Sequence, residues 1–175
     1  MRIAITGPSG SGKTSLAVEL ARTLGIRHVE IDALHHGPNW ESCGVVVLRE
    51  RVAEATEAGG WVADSTYSGM LGDFVFGRAE TLVWLDLPVP VVMWRLVRRT
   101  YLRRKHEVVL WNGNVEGPWR ESWGYLIKPA LQVARSNRRT VPERVARHPH
   151  LRVHRLRSDR EVREFVRSTE ALTDG

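Results

Sequence analysis

The feature that most constrains this chain is the octapeptide GPSGSGKT at residues 7–14. It matches the pattern G-x-x-x-x-G-K-[ST] in full, with Gly7, Gly12, Lys13 and Thr14 at the required positions. A short β-branched run, RIAIT, precedes it, and KTSLAVELARTL follows with apolar residues at helical spacing. A glycine-rich loop between a strand and a helix favours a phosphate cradle over a turn that only caps the helix. Lys13 is then expected to contact β- and γ-phosphate oxygens, and Thr14 to offer its hydroxyl to Mg²⁺.

Strand-like and helix-like runs alternate along the rest of the chain. The further strand candidates are RHVEID, WVADS, TLVWLDL and LRVHRLR. Helices are predicted over about 42–58, 91–105 and 120–139, and after a capping box, S-x-x-E, at 158–161. This alternation predicts one α/β domain over residues 1–175, with a mostly parallel sheet covered by helices on both faces. Ligands of such sheets bind beyond the carboxyl ends of the strands.

Three aspartates follow predicted strands and are candidates for the chemistry. Asp64 and Asp86 each end an apolar strand, where a carboxylate that supports the metal is expected. We favour Asp64; the alternative is Asp86, which also reads as a residue at the entry to a helix. Asp32 ends the second strand and is the candidate to hold the acceptor or to take its proton. A base is needed only if the acceptor is a hydroxyl, because an acceptor phosphate is already an anionic nucleophile.

The stretch WRLVRRTYLRRK at 94–105 holds six basic residues among twelve, with no acidic residue. Arg95 and Arg99 are the candidates for a clamp that neutralises charge on a transferring phosphoryl group. A solvated basic helix face is the plainer alternative. Trp94 at the start of this stretch, and Trp84 in the preceding predicted strand, are predicted to lie in the core.

The net charge of +6 is unevenly distributed. Residues 1–94 carry 7 basic and 11 acidic side chains, whereas residues 95–175 carry 19 basic and 9 acidic ones. A basic second half is compatible with nucleic acid, an acidic lipid surface or a polyphosphate substrate, and composition does not choose among them.

The sequence also bears on export, membrane insertion and disulfide formation. The N-terminus enters a strand-like run without the apolar segment of an export signal, and no run of about 18 apolar residues is present, so we expect a cytoplasmic protein without a membrane span. Cys43 is the only cysteine, which excludes an intramolecular disulfide.

Several stretches together resemble a known family. They are GPSGSGKTSLAVELARTLG, IDALHHGPNW, WVADSTYS, RAETLVWLDLPVPVVMWRLVRRT and LWNGNVE, within residues 1–125. They are similar to the adenylate-kinase-related P-loop proteins often labelled topology modulation proteins, with shikimate and gluconate kinases as more distant relatives. The resemblance implies a three-layer P-loop fold with a five-stranded sheet in the order 2-3-1-4-5. It also implies a mobile acceptor-binding region at about 32–60 and an arginine-bearing lid at about 95–125.

The residue patterns above and the resemblance together give expected roles for individual residues. The expected catalytic side chains are Lys13, Asp32, Arg95 and Arg99. The expected phosphate-binding residues are Ser9, Gly10, Ser11, Gly12, Lys13, Thr14 and Ser15. Arg157 would lie beside the adenine ring of ATP, and Thr14 together with Asp64 would hold Mg²⁺.

The chain departs from its relatives in the acceptor half. Where they read Asp-Gly-Asn-Tyr followed by a basic residue, it reads DSTYSG at 64–69, with Gly69 last. Where they read Asn-Gly-Asn-Arg-Glu, it has Val115 in place of the arginine. The nucleotide half is intact, whereas the identity of the acceptor is left open.

Three functional hypotheses follow. The first is an ATP- and Mg²⁺-dependent kinase that acts on a nucleotide or another small-molecule acceptor. The second is a regulatory module in which ATP moves the basic half onto nucleic acid; the sequence lacks a recognisable nucleic-acid-binding motif, and this hypothesis is not favoured. The third is a nucleotide-binding protein that has lost transfer activity.

Overall fold

A computed structural model of the protein describes residues 1–118 and 123–171. Within them, one sheet is formed by β1 (Arg2–Thr6), β2 (Arg27–Val29), β3 (Trp61–Ala63), β4 (Thr81–Leu85) and β5 (Arg152–Leu156). The strand order is β2-β3-β1-β4-β5, and all four neighbouring pairs are parallel. This confirms the five-stranded parallel sheet and its order.

Helices connect the strands and flank the sheet. They are α1 (Lys13–Leu24), α2 (Ile31–His35), α3 (Gly44–Ala55), α4 (Ser68–Leu71), α5 (Phe74–Arg78), α6 (Val89–Lys105), α7 (Lys128–Arg147) and α8 (Asp159–Ala171). Short 3₁₀ turns occur at Pro38–Trp40 and Trp111–Gly113, and a π-helical turn, Trp123–Ile127, precedes α7. Throughout the described ranges, every helix is too short or too polar to cross a lipid bilayer.

The core lies on both faces of the sheet, because successive side chains along each strand point to opposite faces. In β1, Ile3 and Ile5 pack with α1 and α8 on one face, whereas Ala4 belongs to the cluster on the other face. That second cluster includes Leu48 of α3 and Val141 of α7. Three layers result, and the carboxyl ends of the strands remain open along one edge of the sheet.

Several predicted boundaries are wrong. β2 ends at Val29 instead of Asp32, and Asp32 lies in the first turn of α2. α3 is shorter than predicted, and α6 begins two residues earlier than predicted. The two short helices between β3 and β4 have no counterpart in the sequence prediction because neither is long enough to show helical periodicity.

Two further expectations need correction. The first residues of the helix predicted over 120–139 lie outside the described part of the chain, and α7 continues to Arg147 through an internal Pro142. A proline lacks a backbone N–H and normally ends a helix, but here the neighbouring Val141 packs in the core and α7 continues past it. Trp84 is buried as predicted, but Trp94 is 64% exposed on α6.

Candidate active site

The glycine-rich loop joins β1 to α1 and borders a cleft. Gly10 and Gly12 have φ values of +89° and +94°, which favour glycine. A Cβ at Gly10 would lie only 2.6 Å from the carbonyl oxygen of Val92, so no other residue fits there without a shift. No side chain caps α1 at Gly12, and the first-turn residues of the helix line the cleft. Free backbone N–H groups at a helix N-terminus form an anion-binding site.

The cleft has a volume of about 560 Å³, within the range of small-molecule sites. Most of the residues predicted for the site meet in its wall: Ser9, Gly10, Ser11, Gly12, Lys13, Thr14, Ser15, Asp32, Arg95 and Arg99. Residues far apart in the chain, from the loop after β1 to α6, therefore converge on one cavity.

Lys13 is the central cation of the cleft. Its Nζ donates a hydrogen bond to the carbonyl oxygen of Pro8 at 3.1 Å. Burial lowers the pKa of Lys13; the carboxylates of Asp32 and Asp64 oppose this effect, and the guanidinium of Arg99 adds to it. A cation held away from water favours an anion that enters the cleft.

Thr14 and Asp64 form a pair of oxygen ligands beside the loop. The Thr14 hydroxyl donates to Asp64 Oδ2 at 2.8 Å, and the backbone N–H of Ile31 donates to Asp64 Oδ1 at 3.2 Å. Asp64 is 2% exposed, and His28 Nε2 lies 3.7 Å from its Oδ2. A hydroxyl and a fixed carboxylate side by side fit Mg²⁺, which takes one or two protein oxygens together with water and phosphate oxygens.

Asp86, the alternative carboxylate, is engaged elsewhere. It accepts hydrogen bonds from Arg138 Nε at 3.0 Å and from Arg155 Nε at 3.0 Å. Asp86 therefore links the end of β4 to α7 and β5, and it is not among the residues that line the cleft.

The arginines of α6 divide between two faces. Arg95 lines the cleft and pairs with Asp159, with 2.5 Å between Nη2 and Oδ2. Arg99 Nε is buried without a hydrogen-bond partner among the described residues. Burial and the neighbouring Arg103 lower the pKa of Arg99. Arg98 turns away, and its guanidinium lies over the ring of exposed Trp94.

Arg157, the residue expected beside the adenine ring, is not among the residues that line the cleft. Its side chain is exposed, and its backbone N–H donates to Glu161 at 2.9 Å. The neighbouring cleft wall comes instead from Asp159 and Val162. Ser158 and Glu161 form the predicted capping box, with the Glu161 N–H donating to Ser158 Oγ at 3.2 Å.

A second cavity, of about 550 Å³, adjoins the cleft. Five residues line both cavities: Ser9, Asp32, Arg99, Arg103 and Trp111. The second cavity adds the side chains of His36, Trp40, Tyr67 and Glu116. Two cavities that share a wall with a carboxylate and two guanidiniums allow two ligands to meet.

Asp32 is positioned by Tyr67. The Tyr67 hydroxyl donates to Asp32 Oδ1 at 2.7 Å and lies 3.5 Å from His36 Nε2. Burial and the Asp32 carboxylate raise the pKa of Tyr67, so the phenol remains a donor. Tyr67 has a φ of +42°, a left-handed backbone conformation that is uncommon for a tyrosine.

The loop after α2 is tied to the segment after α6. Asn114, which is 4% exposed, donates from Nδ2 to the Gly37 carbonyl at 2.9 Å and accepts from the Trp40 N–H at 2.9 Å. Trp40 Nε1 donates to the Val115 carbonyl at 3.0 Å, and Asn112 Nδ2 donates to the His36 carbonyl at 2.5 Å. These bonds join the predicted acceptor region to the predicted lid.

The sequence reasoning missed Trp40, Trp111 and Glu116 as cavity residues. Both tryptophans lie next to Asn or Gly in segments without strand or helix periodicity. A large aromatic side chain in an irregular loop does not belong to the apolar face of a helix or strand. Its presence there was the available indication of a binding residue.

No family model and no curated protein matches the chain. Solved structures do match. Shikimate kinase from Acinetobacter baumannii in complex with shikimate is 19% identical, with a TM-score of 0.56 over 98% of this chain and 91% of that one. Shikimate kinase from Aquifex aeolicus is 17% identical, with a TM-score of 0.52 over 100% and 99%. A gluconokinase from Sinorhizobium meliloti is 19% identical, with a TM-score of 0.50 over 99% and 93%. The protein therefore has the three-layer α/β fold of these P-loop kinases.

Proposed function

We propose that this protein is an ATP-dependent phosphotransferase that moves the γ-phosphate of ATP to a small-molecule acceptor. The observation that carries the proposal is the wall shared by two cavities, in which Asp32, Arg99 and Arg103 face both. The donor occupies the cleft beside the glycine-rich loop, and the acceptor occupies the adjoining cavity. Phosphoryl transfer requires the attacking and leaving oxygens to lie roughly in line at one phosphorus atom, and two adjoining cavities leave room for both ligands.

In the donor cleft, the backbone N–H groups of the loop hold the β-phosphate, and Lys13 neutralises the β- and γ-phosphates. The burial that lowers the pKa of Lys13 also strengthens its attraction for an anion, because water screens it less. Thr14 and Asp64 are the residues that would hold Mg²⁺, and the ion would neutralise negative charge on the phosphates of ATP.

In the transfer step, Asp32 takes the proton of an acceptor hydroxyl. The acceptor oxygen forms a bond to the γ-phosphorus as the bond to the β–γ bridging oxygen breaks, and ADP leaves with that oxygen. Arg99 lies where negative charge develops, and its buried Nε lacks a partner among the described residues. Preorganised cations of this kind are worth orders of magnitude in rate.

The fold neighbours and the sequence resemblance support the same class. Structures named shikimate kinase and gluconokinase share the fold, which supports a small-molecule kinase. The finer proposal, a member of the adenylate-kinase-related topology modulation proteins, rests on the motifs alone. In such a protein, residues 1–175 would form one functional unit, with acceptor binding at about 32–60 and a lid at about 95–125.

The two departures from the relatives do not argue against transfer. Gly69 and Val115 are both outside the lining of the two cavities. Gly69 is exposed on α4, and the Val115 side chain is 51% exposed. A nucleotide-binding protein without transfer activity is therefore less well supported than a kinase.

The basic second half gives little support to nucleic-acid binding. Many of its arginines are paired with carboxylates in the structure, including Arg95 with Asp159 and Arg103 with Glu116. Arg144 and Arg147 both pair with Asp73. These arginines serve the fold and the site, so the charge asymmetry does not require a polyanionic partner.

The test compares wild type with Lys13→Ala and, as a matched control, Arg98→Ala on the outer face of α6. We expect Mg²⁺-dependent ADP formation that rises when an acceptor is added and that falls at least 100-fold in Lys13→Ala. Arg98→Ala should retain activity within about threefold. A protein that neither binds an ATP analogue in a thermal-shift assay nor forms ADP would contradict the proposal.

A further inference from the structure

The acceptor cavity is rich in aromatic side chains: His36, Trp40, Tyr67 and Trp111 all line it. We infer that the acceptor is an alcohol that carries a flat aromatic ring, such as a nucleoside, with the ring in this cavity and the hydroxyl at Asp32. This inference rests on the proposed function, because it names the substrate class of the same site.

Three of these rings pack against one another in the cavity wall. The His36 and Trp111 rings are nearly parallel, at 18°, with their centroids 6.3 Å apart. Trp40 stands almost perpendicular to both, at 78° to His36 and 86° to Trp111. Aromatic rings that line a cavity offer a stacking face to a planar ring, whereas a saturated polyol has no π-face to stack.

The rings are held in place before any ligand binds. The indole N–H of Trp40 is already used by the Val115 carbonyl, so this side chain offers its face and not a donor. Asn114 bonds both to the Trp40 N–H and to the Gly37 carbonyl, and Asn112 bonds to the His36 carbonyl. A preformed stacking surface lowers the entropy cost of binding.

The charges of the cavity do not favour the main alternative, a cationic ligand in an aromatic cage. Arg99 and Arg103 line the same cavity and would repel an ammonium group. The guanidinium of Arg103 lies 3.4 Å from Glu116, whereas Arg99 forms no ion pair among the described residues. Because Asp32 and Glu116 offset the two arginines, the formal charges of the cavity sum to zero and favour a neutral ring.

The carboxylate decides which atom of the acceptor is phosphorylated. Asp32 faces both cavities, and Tyr67 holds it by a 2.7 Å hydrogen bond. A base is needed for a hydroxyl and not for a phosphate, so the product is a phosphomonoester of the ring-bearing alcohol. A nucleoside monophosphate phosphorylated on its phosphate is the competing outcome.

The experiment incubates the full-length protein with Mg²⁺-ATP and single acceptors, and it identifies products by ³¹P NMR. The ring-bearing acceptors are the common nucleosides and pyridoxine, and the ring-free or non-aromatic ones are ribose, gluconate and shikimate. Nucleoside monophosphates are included as acceptors that already carry a phosphate. We expect phosphomonoester formation from at least one ring-bearing alcohol at a kcat/KM at least tenfold above that of ribose. Preferred transfer to gluconate, shikimate or ribose, or to the phosphate of a nucleoside monophosphate, would overturn the inference while leaving the proposed function intact. ATP binding without transfer to any ring-bearing alcohol would also overturn it.

Variants separate stacking from a general loss of activity. Trp40→Leu should raise the KM for the preferred acceptor at least fivefold and leave the KM for ATP unchanged, since Trp40 lines only the acceptor cavity of the two. Trp40→Phe should recover most of the affinity because it keeps a ring. Trp94→Leu, at an exposed tryptophan outside both cavities, is the control. Equal KM values for Trp40→Leu and wild type would overturn the inference.

Discussion

The hydroxyl of Tyr67 donates a 2.7 Å hydrogen bond to Asp32, which joins the loop before α4 to the first turn of α2. This bond leaves the carboxylate at the boundary between the donor cleft and the acceptor cavity. Because burial and the carboxylate raise the pKa of Tyr67, the phenol keeps its proton throughout the working range of an enzyme.

Replacing Tyr67 by phenylalanine should lower kcat by about 10- to 100-fold. A hydrogen bond to a charged group contributes about 1.5–3 kcal/mol, and each 1.4 kcal/mol corresponds to a factor of ten. Steady-state kinetics with saturating ATP measure the effect. Tyr101→Phe, at a residue 58% exposed on α6, should leave kcat unchanged, and an equal loss in the two variants would refute a specific role for Tyr67.

Replacing Lys13 by methionine should stabilise the ligand-free protein and abolish its response to ATP. The pKa of Lys13 is lowered, so the unfolded chain binds this proton more tightly and the buried charge costs stability at neutral pH. A gain of about 1 kcal/mol would raise Tm by roughly 2–4 °C. The exposed lysine variant Lys105→Met is the control, and a lower Tm in Lys13→Met would contradict the prediction.

Paired variants distinguish the two carboxylates. Asp64→Asn should raise the Mg²⁺ concentration needed for half-maximal activity at least tenfold, because it removes a charged oxygen beside the Thr14 hydroxyl. Asp86→Asn should leave that concentration unchanged and lower the free energy of unfolding by about 1–3 kcal/mol, since it weakens the bonds from Arg138 and Arg155. Magnesium titrations and urea denaturation of the two variants test these expectations. If Asp86→Asn, and not Asp64→Asn, raised the Mg²⁺ requirement, the metal-binding role would belong to Asp86.

His28 should make stability depend on pH. The nearby Asp64 carboxylate raises the pKa of His28 above its ordinary value. The interaction of protonated His28 with Asp64 therefore stabilises the fold fully below about pH 6.5. This stabilisation is lost as the pH rises through the raised pKa of His28. Urea denaturation in EDTA at a series of pH values measures this loss. His28→Gln should remove it, and a variant with an unchanged pH profile would exclude His28 as its source.

The residues that line the cleft beside the glycine-rich loop could mostly be predicted from the sequence, whereas most of those that line the second cavity could not. Glycines and a lysine at fixed spacing have one common structural use, and the order of strands and helices places them at the open edge of the sheet. Helical periodicity also put Arg95 and Arg99 on one face of α6, and the structure shows that both line the cleft.

The acceptor cavity depends on long-range contacts that no local pattern encodes. Asn114 contacts Gly37 across 77 residues, and the Tyr67 phenol reaches Asp32 through an unusual backbone conformation. The exposure of Trp94 was mispredicted for a related reason: apolar spacing along α6 does not tell which face meets the sheet. Tertiary packing decides both cases.

The most direct test of the central claim follows the γ-phosphate of ATP itself. Wild-type protein is incubated with Mg²⁺ and γ-labelled ATP, with a ring-bearing alcohol as acceptor, and the label is traced by mass spectrometry. Transfer across the shared wall of the two cavities predicts label in a phosphomonoester of the acceptor, in an amount equal to the ADP formed in excess of the acceptor-free rate. Label found only in inorganic phosphate, with every acceptor tested, would contradict the assignment of the two cavities to donor and acceptor.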